Sequence, residues 1–209
     1  MKTMVAAIGA LLVLGALASG TQAQQGGRGG TAPRTAPSTQ APAGTTDAAK
    51  VIETMQDNLG MLRGMQRNDA VHRLEFWGTG GTRVVGGRGV TLEQWKVSLN
   101  YTQQAMRFDY TVNGQRTIEV VADKYAWNEE TPGGKATPMP GALAERQLQL
   151  ALTPLGLAKA AKAAGAAAKV TVAGGVTTLT FPANTATITA TLNKYMEPEK
   201  AEGRVGTTV

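Results

Sequence analysis

The chain contains no cysteine and a single histidine, His72, among its 209 residues. Without cysteine the protein has no thiol nucleophile, no disulfide and no cysteine-ligated zinc site, and one histidine excludes a multi-histidine metal centre. Aromatic residues are also scarce, at 5% of the chain, so a folded core has few bulky rings to bury. We therefore predict a protein without a metal or other cofactor, whose stability rests on apolar packing alone.

A concentration of one sign of charge is missing from most of the chain. The formal net charge is +6, but the basic residues Lys2, Arg28 and Arg34 all precede Asp47, the first acidic residue. From residue 47 onward the net charge is therefore only +3, with the two signs interspersed. A nucleic-acid-binding domain usually concentrates basic residues on one face. We predict no nucleic-acid partner.

An apolar run long enough to cross a bilayer is absent from the N-terminus. Residues 5–17 are apolar, follow Lys2 and precede a stretch of small residues, which is the order of a secretory signal peptide. Thirteen residues are fewer than the roughly 20 that a membrane helix needs. We assign residues 1–23 as a signal peptide cleaved after Ala23 or Gly20, and we expect a bacterial protein, periplasmic or secreted, with no stable membrane insertion after cleavage.

The remainder divides into a linker and one predicted domain. Residues 24–46 are rich in Gly, Pro, Ala, Thr and Gln, which predicts a disordered linker. Residues 47–209 are predicted to form one α+β domain, with Asp47 as the N-cap of its first helix. The predicted helices, from apolar spacing and from alanine content, are 48–65, 142–152 and 155–168.

Alternating apolar and polar residues predict antiparallel strands with one dry and one wet face. The alternation is clearest in residues 94–101 and 105–112, and Asn113-Gly114 supplies a two-residue turn into the next strand. The Gly-rich residues 78–89 are predicted to be a flexible hairpin loop, and the Pro-rich residues 131–140 a loop. The other predicted strands are 71–77, 116–122, 125–129, 169–172, 176–181, 185–193 and 200–209.

The last predicted strand runs to Val209 without a charge cluster or a helix to protect its edge. Natural sheets usually protect such edges. The sequence leaves two interpretations open: the domain is truncated at its C-terminus, or the chain ends naturally on an unprotected strand.

Residues that often carry chemistry lack the partners they would need. His72 has no Ser or Cys partner motif, and Glu129 and Glu130 are neighbours on a strand, so their side chains point to opposite faces. The glycines of residues 78–89 do not form a GxxxxGK[ST] phosphate loop. We predict no catalytic residue and no enzymatic activity.

Bulky apolar side chains concentrate on one face of the predicted sheet. Small-molecule pockets are lined mainly by apolar and aromatic side chains, so we predict that this face binds an apolar ligand. The same residues would equally serve as a filled core under the helices, and the sequence leaves both interpretations open. The candidate ligand-binding residues are Trp95, Leu99, Tyr101, Met106, Phe108, Tyr110 and Trp127.

Two segments, YAWNE at residues 125–129 and RQLQLALTPLGLAKAA at 146–161, resemble the N-terminal, carrier-like region of exported bacterial proteins, some of which continue into a metallo-β-lactamase-like hydrolase domain. The order of elements is similar to that of the bacterial lipoprotein carrier and acceptor fold. The resemblance implies a curved antiparallel sheet forming an incomplete β-barrel, with covering helices over its concave face. The His-x-His-x-Asp-His motif of the hydrolases is absent, so neither their activity nor their site residues are carried over.

The sequence therefore predicts a periplasmic, non-catalytic module that binds an apolar ligand, a lipid or the acyl chain of a lipoprotein. The alternative is an N-terminal accessory or docking domain of a larger exported hydrolase whose C-terminal domain is missing from this chain.

Overall fold

The computed structural model describes residues 44–85 and 88–205. The predicted signal peptide, residues 24–43 of the predicted linker and residues 206–209 lie outside the described residues. Within them the chain has the predicted α+β class, with three α-helices and strands that all pair antiparallel.

The helices and strands follow one another in an alternation of hairpins and short helical segments. The helices are α1 (Ala48–Asn58), α2 (Leu143–Ala151) and α3 (Pro154–Ala164). The strands are β1 (Leu62–Arg63), β2 (Asn68–Asp69), β3 (Arg73–Thr79), β4 (Thr82–Val85), β5 (Arg88–Thr91), β6 (Gln94–Asn100), β7 (Ala105–Val112), β8 (Gln115–Ala122), β9 (Tyr125–Glu129), β10 (Ala136–Pro138), β11 (Lys169–Ala173), β12 (Val176–Ala183), β13 (Ala186–Leu192) and β14 (Pro198–Val205). Single 3₁₀ turns precede α2 and follow α3.

Two larger sheets are formed where the sequence predicts one. The first has six strands in the order β10-β9-β8-β7-β6-β3, and the second has four in the order β11-β12-β13-β14. The pairs β1-β2 and β4-β5 are separate two-stranded sheets. The prediction of a single sheet was wrong, because the strands after α3 pair with one another and not with those before α2.

Two-residue turns fix the register of the six-stranded sheet. Asn113 and Gly114 both have positive φ angles, of 50° and 73°, and join β7 to β8 with Val112 opposite Gln115. Asp123 likewise has a φ of 50° in the turn between β8 and β9. Asn and Asp tolerate the left-handed region better than other non-glycine residues. The predicted hairpin at Asn113-Gly114 is confirmed.

The four-stranded sheet buries its apolar side chains against α1 and α3. Leu179, Phe181 and Ile188 of β12 and β13 are fully buried, and they belong to one cluster with Val51 and Met55 of α1. The Ala-rich α3 contributes Ala158 and Ala161 to the same cluster, where their small side chains allow close approach. The second sheet and these two helices therefore share a core that does not include the predicted ligand-binding residues.

Helix α1 is shorter than the sequence predicts and packs against the four-stranded sheet. It ends at Asn58, because Gly60 takes a φ of 68° and its amide turns back to the Asp57 carbonyl. A left-handed glycine just past the last turn is a common helix terminator. The sequence predicts this helix over the concave face of a single sheet, whereas its buried residues belong to the core of the four-stranded sheet.

Helix α2 contacts both sheets. Leu150 packs with Val97, Leu99, Met106 and Val121 of the six-stranded sheet. Leu148, two residues earlier, belongs to the core of the four-stranded sheet and lies directly above Gly203 of β14. Alternate sides of one short helix thus join two sheets that share no strand pairing.

The junction between α2 and α3 depends on a glycine. Thr153 is the N-cap of α3, and its hydroxyl accepts a hydrogen bond from the Gly156 amide at 3.2 Å. A Cβ atom at position 156 would lie 2.2 Å from the Leu150 carbonyl oxygen and 2.5 Å from the Thr153 hydroxyl. Only glycine fits between the two helices at this position.

We expect Gly156→Ala to lower the free energy of unfolding by about 2 kcal/mol, because the added methyl group must displace backbone rather than a mobile side chain. Urea denaturation measures this change. Gly141→Ala is the matched control, since a Cβ there meets nothing within 4 Å and should change stability by less than about 0.5 kcal/mol. Equal stabilities for the two variants would contradict the close approach of α2 and α3.

Candidate functional site

One face of the six-stranded sheet, here called the apolar face, is built from rows of directly opposed residues. The first row is wholly apolar: Leu74, Leu99, Met106, Val121 and Ala126. The second runs from apolar to polar across the sheet: Phe76, Val97, Phe108, Glu119 and Asn128. The third is Gly78, Trp95, Tyr110 and Thr117. Apolar groups therefore gather toward β3 and β6, and polar groups toward β8 and β9.

The structure places five of the seven predicted ligand-binding residues on the apolar face: Trp95, Leu99, Met106, Phe108 and Tyr110. Tyr101 follows β6 directly, packs at the edge of the same cluster and places its hydroxyl 3.2 Å from the Thr153 hydroxyl. Gly78 leaves room for the Trp95 ring, because a Cβ there would lie 2.7 Å from the indole.

Trp127 lies on the face of the sheet opposite to the apolar face. The prediction that it shares the apolar face with the other candidates was wrong. It pairs with Val120, and Val120 pairs with Arg107, which places all three side chains away from the apolar face. The indole of Trp127 donates to Glu129 at 3.0 Å. The two-residue turn at Asp123 sets this register, since it aligns Ala126 and not Trp127 with Val121.

A hairpin inserted between β3 and β6 reaches over the apolar face. It consists of β4 and β5, in the segment predicted as a flexible loop, and it pairs with neither neighbouring sheet. Gly80 and Gly81 both have positive φ angles, of 72° and 98°, where the hairpin leaves β3. The Trp95 indole donates to the Gly80 carbonyl at 2.9 Å and so anchors this bend to the face below it.

Arg83 of β4 is the side chain that reaches the face. Its guanidinium carbon lies 4.7 Å from the ring centroids of both Phe108 and Tyr110, and the two rings are 4.9 Å apart. One guanidinium nitrogen, Nη2, donates to Glu119 at 2.6 Å. A cation over aromatic faces is attracted by their quadrupoles, and more strongly where water is excluded.

Glu119 is the centre of a polar cluster on the otherwise apolar face. Its Oε1 accepts from the Tyr110 hydroxyl at 2.9 Å, and its Oε2 accepts from Arg83. The same Oε2 lies 4.0 Å from Nε of Arg146 on α2. Burial raises the pKa of Tyr110 to about 12, with the charge of Arg83 opposing the shift and that of Glu119 adding to it.

Arg146 ties α2 to strands β8 and β9. Its Nη1 donates to the carbonyls of Val120 and Trp127 at 3.0 and 2.6 Å, and its Nη2 donates to the Asn128 side chain at 2.6 Å. Burial lowers the pKa of Arg146, while Glu119 opposes that shift and the neighbouring Arg83 charge adds to it. The Arg146 charge is thus held by fixed oxygens, and Glu119 is placed between two guanidinium groups.

Two surface concavities of the described residues lie away from this face. One, of about 460 Å³, lies at the end of the four-stranded sheet beside Leu192 and Tyr195. Another, of about 400 Å³, lies between α1 and the start of the β1-β2 hairpin, beside Ile52 and Leu62. Neither is lined by a predicted ligand-binding residue.

The other candidate residues of the sequence are dispersed. His72 is exposed at the start of β3, with Nδ1 3.4 Å from the Thr102 hydroxyl. Glu129 is buried and accepts from Arg107 at 3.1 Å and from the Gly133 amide at 2.8 Å, while Glu130 is exposed. Among the residues that the structure describes, no three His, Cys, Asp or Glu side chains are grouped to hold a metal ion.

The comparisons with known proteins returned no matching family model, no similar curated protein and no similar solved structure. The resemblance to lipoprotein carriers therefore stays a prediction. Within the described parts of the chain, no helix has both the length and the apolar character needed to cross a membrane.

Sequence reasoning missed the polar residues of the site, Arg83, Glu119 and Arg146. Arg83 lies in a Gly-rich stretch that carries no strand alternation. Glu119 did carry a signal, because it shares its side of β8 with Val121, the residue that pairs with Met106. A charged residue on the dry side of an alternating strand indicates a buried partner.

We expect Arg146→Ala to lower the free energy of unfolding by about 3 kcal/mol, because it removes a buried charge and leaves the oxygens of Val120, Trp127 and Asn128 without a donor. Arg116→Ala is the control: it breaks an ion pair with Asp109 on the opposite face, where the Arg116 side chain is 49% exposed, and should cost less than about 1 kcal/mol. Thermal and urea unfolding measure both. A small effect at Arg146 would contradict its role in joining α2 to the sheet.

Proposed function

We propose that this protein is an exported, non-catalytic binding module that takes an apolar ligand, a lipid or the acyl chain of a lipoprotein, onto the apolar face. In this proposal the six-stranded sheet is the curved wall of an incomplete β-barrel, α2 is its helical cover, and the β4-β5 hairpin is a flap that moves aside. After removal of residues 1–23 the module works in the periplasm or outside the cell.

The observation that carries the proposal is the nature of the contact under the hairpin. A charged side chain, Arg83, covers Phe108 and Tyr110 where a permanent core would place an apolar one. The hairpin pairs with no strand of the sheet below. At its base the hairpin has backbone hydrogen bonds from Gly80 to Glu93, from Leu92 to Gly81 and from Glu93 to Thr111. In the proposal these bonds are kept and the strands of the hairpin lift from the face, because Arg83 is joined to the face by an ion pair and ring contacts and not by strand pairing.

The apolar side chains around this contact are incompletely buried. Leu74, Phe76, Trp95 and Phe108, with Leu143 of α2, are partly exposed, whereas the other four residues of the first row are buried. Their remaining exposed surface runs along the β3 and β6 side of the face. An acyl chain placed there would remove that surface from water.

The apolar gain from a ligand can be compared with the contacts it displaces. Burying an acyl chain contributes about 0.8 kcal/mol for each methylene group, so a ten-carbon chain contributes roughly 8 kcal/mol. The displaced Arg83 contacts amount to about 1.5–3 kcal/mol for a charged hydrogen bond and about 0.5–2 kcal/mol for the cation–π contacts. Association itself costs about 4–15 kcal/mol, so a ten-carbon chain binds weakly at best and each further methylene group strengthens binding.

The polar groups on the face support binding rather than catalysis. A Tyr110 phenol with a pKa of about 12 stays protonated at neutral pH and is a poor base or nucleophile. Glu119 is held by a hydroxyl and a guanidinium, and Arg146 by three fixed oxygens. These groups position the hairpin and α2.

We expect decan-1-ol, a neutral ligand, to raise the melting temperature of delipidated protein, since binding to the native state alone stabilises it by about 2.7 kcal/mol at one hundred times Kd. Differential scanning fluorimetry or calorimetry measures the shift.

The chain has three tryptophans, Trp77, Trp95 and Trp127, so the fluorescence of single-tryptophan variants shows where the ligand binds. In W77F/W127F protein the Trp95 emission should shift to the blue on titration.

The matched control keeps Trp77 instead, in W95F/W127F protein; because Trp95 is itself a proposed ligand contact, the thermal shift of this variant with decan-1-ol is measured first to show that it still binds. Trp77 lies on β3, 71% exposed, on the face opposite to Trp95, and its emission should not change. An absent thermal shift, or equal changes at Trp77 and Trp95, would contradict ligand binding on the apolar face.

A further inference from the structure

We infer that the ligand of the apolar face carries a monoanionic head group, a carboxylate or a phosphate diester, and that Arg83 binds it. This inference rests on the proposed function and adds to it the chemical class of the ligand. The ligand is then an anionic amphiphile whose chain lies along the face and whose charged end stops beneath the hairpin.

Arg83 has an unused donor in a buried position. Its Nη2 is taken by Glu119, but Nη1 is buried and has no hydrogen-bond partner among the described residues. The Arg83 side chain is only 13% exposed. A buried guanidinium nitrogen without an acceptor is costly, because its hydration is lost and not replaced. An anionic oxygen on the ligand would supply the missing acceptor.

Glu119 is shared between two guanidinium groups. Arg83 and Arg146 approach the same carboxylate oxygen at 2.6 and 4.0 Å. Glu145 supplies a second negative charge near Arg146, on the same helix. Arg83, which lies on the hairpin, therefore has only a shared carboxylate as its counter-charge, and a negative charge on the ligand would add to it.

Arg83, rather than Arg146, is the residue with an unpaired donor for the head group. The Nη1 and Nη2 of Arg146 are bonded to backbone carbonyls and to Asn128. Arg83 is carried by the movable hairpin and already lies against Phe108 and Tyr110. The same side chain thus lies beside the aromatic surface for the chain and retains the free donor for the head group.

The test compares amphiphiles of one chain length at submicellar concentration: decanoate, decan-1-ol and decyl methyl phosphate, titrated into W77F/W127F protein. Charge-assisted hydrogen bonds are about twice as strong as neutral ones. We expect at least one anionic ligand to bind about tenfold more tightly than decan-1-ol. The better of the two anions identifies the head group as carboxylate or phosphate diester.

Substitutions at the cluster should move this preference in opposite directions. R83Q should abolish the preference for the anion, and E119Q should increase it severalfold, because the internal competitor for Arg83 is neutralised. R116Q, on the opposite face, removes the same charge as R83Q and should leave the preference unchanged. General damage to the fold would weaken every ligand in both site variants and would not produce opposite shifts.

The outcomes separate the inference from the function on which it rests. If no amphiphile binds, the proposed function fails. If decan-1-ol and both anions bind equally to the unsubstituted cluster, the function stands and the inference is wrong. A preference for the anion that persists in R83Q also overturns the inference. If R83Q does not fold, the E119Q variant decides, and an unchanged preference in E119Q overturns the inference.

Discussion

The arrangement of the apolar face depends on one carboxylate, Glu119, whose side chain is 13% exposed, and on the two guanidinium groups around it. Arg83 brings the β4-β5 hairpin to the sheet, and Arg146 brings α2. Because a charge in an apolar setting must be paired, the two elements that close the face are fixed by a polar contact rather than by apolar packing alone. In the proposed function, this polar contact is what allows the hairpin to lift from the face without unfolding the sheet.

The second sheet provides the stable base for this arrangement. Its core with α1 and α3 contains most of the fully buried side chains, among them Phe181, Leu179 and Ile188. Helix α2 is shared between that core and the apolar face through Leu148 and Leu150. A ligand that enters under the hairpin would therefore leave the larger core in place, as a binding module requires. The alternative role, as an accessory domain of a larger hydrolase, stays a prediction.

The strands were predictable where local chemistry decides them. Alternation placed β6 and β7 within one residue, and Asn113-Gly114 fixed the hairpin to β8, because period and turn type are local properties. The division into two sheets and the place of α1 depend on long-range packing, which alternation does not encode. Five ligand-binding candidates were placed on one face correctly. Trp127 was not, because its face depends on how the turn at Asp123 aligns β9 with β8. Arg83 lies in a glycine-rich hairpin whose bend is set by contact with Trp95, and no local pattern indicates that contact.

The central claim is that an apolar chain replaces the hairpin above Phe108. A crystal structure of the delipidated protein soaked or grown with decan-1-ol tests it most directly. The account predicts electron density for the chain along Trp95 and Phe108, with the β4-β5 hairpin displaced and the four-stranded sheet unchanged. Density for the ligand only at other surfaces, with Arg83 still seated on the two rings, would contradict it.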